Sequence, residues 1–403
     1  MNSLTEETHG LRTWIPLAEV GLSTTPAPLP VPVLSPQAEP SPAQSQHEES
    51  CAIDPAIAAN PYQRLLAESQ RRHRLISVHW ELTYRCNERC THCYLDVLPP
   101  GAHVPGELTT EEALDLVDQI ADEGALNLTF SGGEVLVRRD FFEIAEHARA
   151  RRLLLRIFTN GTLITPEKAD RIAALHPYAV EISVYGACAE THDRITQVPG
   201  SYHRTIRALE LLRKRGVRTV AKTPLMRDNV HEFDALREQA ARLGARFQYD
   251  ITITTKDTGG LSPLAHRMTD EQLLDFFRRE LDPTPWVNSK PRGADFRFCG
   301  IGGLGCTIGP NGDVFSCVGA RIRIGNVRQS PLRTIWRESP VWKELYHLTL
   351  SRLPECVTCE LKDYCTRCHG EALIEDGDLF RCSSIARREA LLRRQVLQEK
   401  GVI

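Results

Sequence analysis

Between residues 60 and 285 the chain alternates short apolar runs with amphipathic stretches, six times over. The runs fall at 75–83, 126–130, 153–158, 179–185, 217–223 and 245–251. The stretches between them carry helix-start signals. Thr109-x-x-Glu112 and Thr269-x-x-Gln272 have the spacing of capping boxes. Thr165-Pro166 places a capping hydroxyl before a proline at the first helical position. Repeated strand–helix units predict a parallel sheet covered by helices, with right-handed crossovers. Six units are too few to close an eight-fold ring. The fold class expected is α/β, a (β/α)6 partial TIM-type barrel followed by a small cysteine-rich domain.

Chemistry-bearing residues follow these strands with one polarity. Cys86, Cys90 and Cys93 follow the first, Gly132-Gly133-Glu134 the second and Asn160 the third. Ser183 and Tyr185 end the fourth, Thr223-Pro224 the fifth and Asp250 the sixth. All lie at carboxyl ends of strands, the face on which barrel-type folds carry their sites. The fourth strand reads Glu181-Ile182-Ser183-Val184-Tyr185. Alternation turns Ile182 and Val184 toward the helices and Glu181, Ser183 and Tyr185 inward. Inward polar side chains line a wet site rather than a dry core. Lys222 reads either as an inward partner for a carboxylate or as a surface lysine. His192, Asp193 and Arg194 open the next loop as candidate contacts.

The first cysteine loop is Cys86-x3-Cys90-x2-Cys93. Structural zinc takes four ligands, and so does an ordinary cubane iron–sulfur cluster. Three cysteines around a cubane leave one iron open to a chelating small molecule. A zinc site with His92 or His103 as fourth ligand is the alternative. Thirteen cysteines in one chain call for metal or catalysis if the compartment is reducing. Cys51 and Cys188 stand apart as bystander thiols. Eight others form a C-terminal array: Cys299, Cys306, Cys317, then Cys356-x2-Cys359-x5-Cys365-x2-Cys368, then Cys382. The turn Pro310-Asn311-Gly312-Asp313 predicts a short hairpin that positions Cys317. A helical stretch with Trp336 and Trp342 follows it, and 385–399 reads as an amphipathic helix packed on this domain. Two C-x2-C pairs alone would suit a zinc ribbon, leaving the other four cysteines unexplained.

The three-cysteine loop, Ser131-Gly132-Gly133-Glu134 and Thr159-Asn160-Gly161 together resemble the radical S-adenosylmethionine (radical SAM) superfamily, over residues 75–285. The C-terminal array resembles the SPASM extension of that superfamily. The resemblance implies that Cys86, Cys90 and Cys93 hold a [4Fe–4S] cluster whose open iron chelates SAM. It implies cofactor contacts from His92, Gly132, Gly133, Glu134, Asn160, Ser183 and Lys222. Two auxiliary [4Fe–4S] clusters are implied as well, three in all. One takes Cys299, Cys306, Cys317 and Cys368, the other Cys356, Cys359, Cys365 and Cys382. The x2 gap between Cys365 and Cys368, where three is commoner, departs from the pattern. So does Ser183-Val184-Tyr185-Gly186, where many peptide-modifying relatives have Ser-x-Asp-Gly; this argues against a sulfatase-maturase role.

The function implied is reductive cleavage of SAM to a 5′-deoxyadenosyl radical and oxidative modification of a peptide, with Tyr185 and Asp250 as candidate catalytic residues. A flavodoxin- or ferredoxin-type protein would donate electrons. The alternatives are a radical SAM oxidase or decarboxylase acting on a small molecule or a haem-type precursor, and a non-catalytic iron–sulfur scaffold. Residues 1–58 are proline-rich, with Pro26, Pro28, Pro30, Pro32, Pro36, Pro40 and Pro42 close together, and are expected to be disordered. Such a tail is too short and too rich in proline for a winged-helix leader-binding module, so a separate leader-recognition protein or the catalytic domain would serve. The remaining division is a core at 59–285 and an auxiliary-cluster domain at 286–403. The net charge is −3 and no basic stripe is interleaved with aromatics, so no nucleic-acid partner is expected. No apolar run spans a bilayer, and Glu6, Glu7 and His9 stand where a signal peptide would be basic and then apolar. A cytoplasmic protein is expected.

Overall fold

The computed structural model describes residues 60–403; the proline-rich tail and Cys51 lie outside them. The six expected strands form as β1 (Ser77–Thr83), β2 (Asn127–Gly132), β3 (Leu154–Thr159), β4 (Ala179–Ser183), β5 (Thr219–Pro224) and β6 (Arg246–Asp250). Each is parallel to the next and they lie side by side in chain order. The helix starts match the sequence signals. Thr109 and Glu112 cap Thr110–Asp122 reciprocally, as Thr269 and Gln272 cap Asp270–Glu280. Thr165 caps Pro166–Ala174 through the Lys168 amide.

One face of the sheet is apolar. Val78, Trp80 and Leu82 of β1, Leu128 and Phe130 of β2, Leu155 and Ile157 of β3, and Val180 and Ile182 of β4 are all fully buried in one cluster with the helices. Each such side chain contributes about 1.5–3 kcal/mol on burial. The opposite face is polar and carries His79, Glu81, Thr129, Arg156, Glu181, Ser183 and Lys222. This is the strand alternation of the sequence made concrete.

The C-terminal region differs from the expectation in its attachment. The hairpin after Cys299 does form, as β7 (Gly305–Ile308) and β8 (Asp313–Phe315), and β9 (Arg323–Asn326) adds to it antiparallel. It is not a free-standing hairpin, because β7 pairs in parallel with β1. The result is one nine-stranded sheet in the order β6-β5-β4-β3-β2-β1-β7-β8-β9. The far edge of β1 needs a hydrogen-bonding partner, and β7 supplies it. Trp336 and Trp342 pack at 4.5 Å, and His73 stacks on Trp336 at 4.5 Å. The terminal helix Ser384–Glu399 reaches further than the cysteine-rich region. Its Val396 is buried with Phe276 and Phe277, and Glu399 pairs with Arg278 at 2.8 Å.

Candidate active site and cysteine clusters

The loop after β1 holds Cys86, Cys90 and Cys93, all free thiols and all partly buried. Backbone bonds fix it at both ends. The Cys86 amide donates to Leu98 O at 2.8 Å, and the Arg89 and Thr91 amides donate to Thr196 O and Ile195 O at 3.1 and 3.0 Å. The last two acceptors lie at the end of the helix Ala189–Thr196. Burial pushes the Cys86 thiol up to about 12 and Cys90 well above its ordinary value, and the neighbouring carboxylates and thiols push the same way. Iron ions bound by these cysteines would invert that preference, since a coordinating thiol loses its proton. Among the described residues no three cysteine, histidine or carboxylate side chains converge on a position for a single metal ion.

Gly132 and Gly133 bring β2 against this loop. A Cβ on Gly132 would sit 2.4 Å from Thr83 O, and one on Gly133 would sit 2.2 Å from Arg85 O and 3.2 Å from the Cys86 Cβ. The Gly133 amide donates to Thr83 O at 2.8 Å and the Glu134 amide to Arg85 O at 2.9 Å. The sequence reading gave these glycines to ligand approach; the close approach found is to the cysteine loop itself. Glu134 is fully buried and accepts from the Leu136 amide, the Thr159 hydroxyl and the Asn160 amide at 3.0, 2.8 and 2.8 Å. It joins the end of β2 to the end of β3. Asn160 joins β3 to the cysteine loop, donating from Nδ2 to Asn87 Oδ1 at 3.0 Å.

Beyond β4, Tyr185 is buried beside Cys90 with Ile195, Met226 and Ile253. His92 meets it edge-on at 4.7 Å, and His192 stacks on its other side at 5.6 Å. Burial lowers both histidines to about 4, so they are neutral aromatic walls. His192 Nδ1 accepts from the Tyr185 amide at 3.1 Å. Asp193 turns away from this pocket, because its Oδ1 accepts from the Ser201 hydroxyl and the Tyr202 amide, both at 2.8 Å. Arg194 is bonded to Asp228 O at 3.2 Å. Neither is placed as a site contact. Asp250 is exposed, and its Oδ1 accepts from the Thr252 amide at 2.8 Å in a local turn.

The inner face holds two charged groups that the sequence only half revealed. Glu181 bonds Arg156 at 2.8 Å and Lys222 at 3.3 Å, so Lys222 takes the inward, carboxylate-paired alternative. Lys222 Nζ also lies 3.9 Å from the Phe158 ring centroid. Glu81, fully buried on β1, accepts from Tyr94 at 2.8 Å and from Arg321 Nη2 at 2.9 Å. Burial alone would raise the Glu81 carboxyl, and Arg321 overrides it to leave the value low. Asp257 lies on the far side of Arg321 at 3.9 Å, and burial raises its carboxyl to about 6 against the pull of Arg321. Two buried polar atoms here have no partner among the described residues: His79 Nε2 and Asp257 Oδ1. His79 and Glu81 were legible in principle, because run 75–83 has the same polar alternation as the fourth strand. Arg321 and Asp257 come from irregular segments and carry no such signal.

The C-terminal cysteines fall into two groups and a remainder. Cys382 and Cys359 act on Cys356, and Cys356 acts on Cys365. Cys299 acts on Cys317, which in turn acts on Cys368. Cys317 is a thiol that raises Cys368, despite the place of Cys368 in the later run. Cys306 does not join them. It lies on β7 opposite Val78, in the apolar cluster with Ile308, Ile335 and Trp336. The expectation that it shares a cluster with Cys299, Cys317 and Cys368 is corrected by this placement. Strand alternation turns it to the helix-covered side.

A cubane-type three-cysteine loop, a glycine pair that seats it and a second cysteine array on one continuous sheet define a class. The family descriptions that match are the radical SAM superfamily over residues 80–240 and the SPASM iron–sulfur cluster-binding domain over residues 299–369. The chain is 33% identical over 336 residues to the AdoMet-dependent heme synthase of Methanosarcina barkeri, covering 74% of this chain and 92% of that protein. It is 33% identical over 305 residues to the mycofactocin maturase MftC of Mycobacterium tuberculosis, covering 71% of this chain and 76% of that one. Its fold is similar to Streptococcus suis SuiB bound to the precursor peptide SuiA, with a TM-score of 0.61, 15% identity and 81% of each chain covered. The chain belongs to the radical SAM superfamily and carries a SPASM domain. It is a radical SAM enzyme, and its cofactors are SAM and iron–sulfur clusters. No helix among the described residues is long and apolar enough to cross a membrane.

Proposed function

We propose that this enzyme oxidatively modifies a peptide, as in the maturation of a ribosomally made precursor. The observation that carries the reading is the wet inner face between the two cysteine systems. Glu81, Glu181, Lys222 and Arg321 line that face, and His79 and Asp257 leave buried polar atoms unmet beside them. The relative named as a maturase and the fold-mate bound to a precursor peptide support the same class. When bound, SAM on the open iron supplies a 5′-deoxyadenosyl radical, and the protein supplies position and exclusion of water. Cys86, Cys90 and Cys93 would hold that cluster. Gly132, Gly133, Glu134 and Asn160 shape its seat, with His92, Ser183 and Tyr185 walling the pocket beside it. Lys222 and Asp250 stay as candidate contacts. The reading includes three [4Fe–4S] clusters, a core at 59–285, an auxiliary domain at 286–403, a cytoplasmic setting, a flavodoxin- or ferredoxin-type donor and a separate leader-recognition protein.

A second reading is oxidation or decarboxylation of a haem-type small molecule, favoured by the match over 92% of the heme synthase. The test is 5′-deoxyadenosine formation by anaerobically reconstituted protein given SAM and a strong reductant, alongside Cys90→Ala. Wild-type product without product from the variant supports SAM cleavage. Stimulation by candidate precursor peptides, and not by a porphyrin, then separates the two substrates. Iron-loaded protein that makes no product with either would favour a scaffold.

A further inference from the structure

Residues 87–89 carry the first cysteine loop past the helix Ser201–Arg213. Asn87 Nδ2 donates to Thr162 Oγ1 at 2.8 Å, and the Arg89 amide donates to Thr196 O at 3.1 Å. The helix closes against both of these anchors. Thr205 Oγ1 donates to Asn160 O at 2.9 Å, and the Ser201 and Thr196 hydroxyls lie 2.7 Å apart. Asn87 and Arg89 are the chain neighbours of Cys86 and Cys90. The surface here is therefore one residue from two of the three thiols.

That surface is basic. Arg89, Arg204 and Arg207 are exposed, and none of them pairs with a carboxylate among the described residues. Arginines nearby are paired: Arg171 with Glu146 at 2.7 Å and Arg215 with Asp170 at 2.6 Å. Arg204 lies back over the turn before the helix, where a Cβ on Gly200 would sit 3.5 Å from its Nη1. The carboxylates at hand do not neutralise this face. Glu88 is 2% exposed. Asp193 spends its oxygens on the Ser201 hydroxyl and on the Gly200 and Tyr202 amides. Glu210 is exposed one turn beyond Arg207 and pairs with neither arginine. Arg204 stands near the positive end of its helix and adds to that charge, so helix stability does not account for it.

We propose that Arg89, Arg204 and Arg207 form the docking face for an acidic one-electron carrier protein. The inference rests on the SAM-cluster reading above. Unpaired surface charge of one sign steers a partner of the other sign and fixes its orientation. This face would bring the carrier against the loop that holds the cluster, and electron transfer weakens steeply with distance. A reduced flavodoxin docked here gives up one electron, its anionic flavin hydroquinone becoming the neutral semiquinone. The electron passes to the cluster that Cys86, Cys90 and Cys93 would hold, and no bond is made or broken.

The test has a binding arm and a turnover arm. An acidic flavodoxin and an acidic [2Fe–2S] ferredoxin are the probes, titrated by calorimetry into wild type, Arg204→Glu/Arg207→Glu and Lys214→Glu. Lys214 is exposed at the other end of the same helix, roughly 15 Å from Arg204 along its axis. The double variant is expected to bind a carrier about tenfold more weakly than wild type, with the difference shrinking as salt rises. Lys214→Glu is expected to bind as wild type does. Formation of 5′-deoxyadenosine driven by the carrier is expected to slow in step, while formation driven by reduced methyl viologen, a small cation, stays unchanged. Thermal melts check the fold, and Arg204→Gln/Arg207→Gln carries the same expectation if the double reversal unfolds. Equal binding by wild type and a folded double variant would overturn the inference. So would Lys214→Glu as weak as the double variant, or wild type that binds neither carrier. A double variant slowed equally with methyl viologen would give these arginines to SAM or substrate and overturn it as well. Carrier binding that depends on these arginines, with no 5′-deoxyadenosine from either reductant, would keep the docking face and remove the SAM-cleavage reading.

Discussion

Arg321 and Glu81 form a buried ion pair across the two cysteine systems, 2.9 Å apart, with side-chain exposures of 9% and 0%. Arg321 follows Cys317 by four residues, and Tyr94, which shares the same carboxylate, follows Cys93 directly. One carboxylate thus holds a residue from each cluster-bearing loop. Removing one member of a buried pair costs about 3–5 kcal/mol, because the other charge is left uncompensated. Glu81→Gln is expected to destabilise by that order in chemical denaturation of the purified protein. Glu81→Leu/Arg321→Met is expected to be milder than Glu81→Leu alone. A double variant as damaging as the sum of the singles would refute the coupling.

Gly133→Ala tests whether the glycine pair seats the cysteine loop. The new Cβ meets backbone at Arg85, 2.2 Å away, which cannot rotate aside as a side chain would. The loop is expected to shift and its cluster to assemble poorly, while the auxiliary clusters load normally. Iron per chain and the visible charge-transfer band read this out. Full iron loading in Gly133→Ala would contradict it.

Glu134→Gln keeps the shape and removes one acceptor. The Asn160 amide, now bonded to Oε2 at 2.8 Å, would face an NH2 group instead. An unmet buried donor costs about 1–3 kcal/mol. The expected phenotype is a lower unfolding midpoint with weakened SAM binding, since the end of β3 is no longer tied to β2. Equal midpoints for the two proteins would count against this role.

His192 predicts a pH dependence of stability. Its folded value, about 4 through burial, lies below an ordinary histidine near 6.5. Between those values the unfolded chain binds more protons, so stability rises with pH across this window. It falls as pH drops from about 6.5 toward 4, by roughly 3 kcal/mol at most. His192→Phe is expected to flatten that part of the profile measured by denaturation. An unchanged slope in the variant would assign it elsewhere.

Much of the core could be read from local pattern. The strand runs, the capping threonines and the three-cysteine loop each depend on neighbours within a few positions, and all are found where the pattern places them. Long-range relations were less accessible. Nothing local marks Gly305–Ile308 as a partner for β1, so the union of the two regions into one sheet was not foreseen. That same pairing decides the side on which Cys306 points, which spacing alone could not give. Glu134, Asn160 and Asp193 were read as ligand contacts. Their short polar side chains bond to chain segments that only the tertiary fold brings near. Arg321 lies in a connection whose conformation depends on the turn at Cys317.

The β7–β1 pairing bears on how this enzyme can be dissected. A cut near residue 286 would not release a minimal SAM-cleaving core from a removable accessory. It would strip β1 of a neighbour along four residues and leave a row of backbone donors and acceptors in the middle of what had been a covered sheet. Exposed edges of that kind recruit strands from other chains. The shortened protein would therefore be lost to aggregation before its chemistry could be asked about. Point substitutions at the cysteines are the way to separate the work of the two halves.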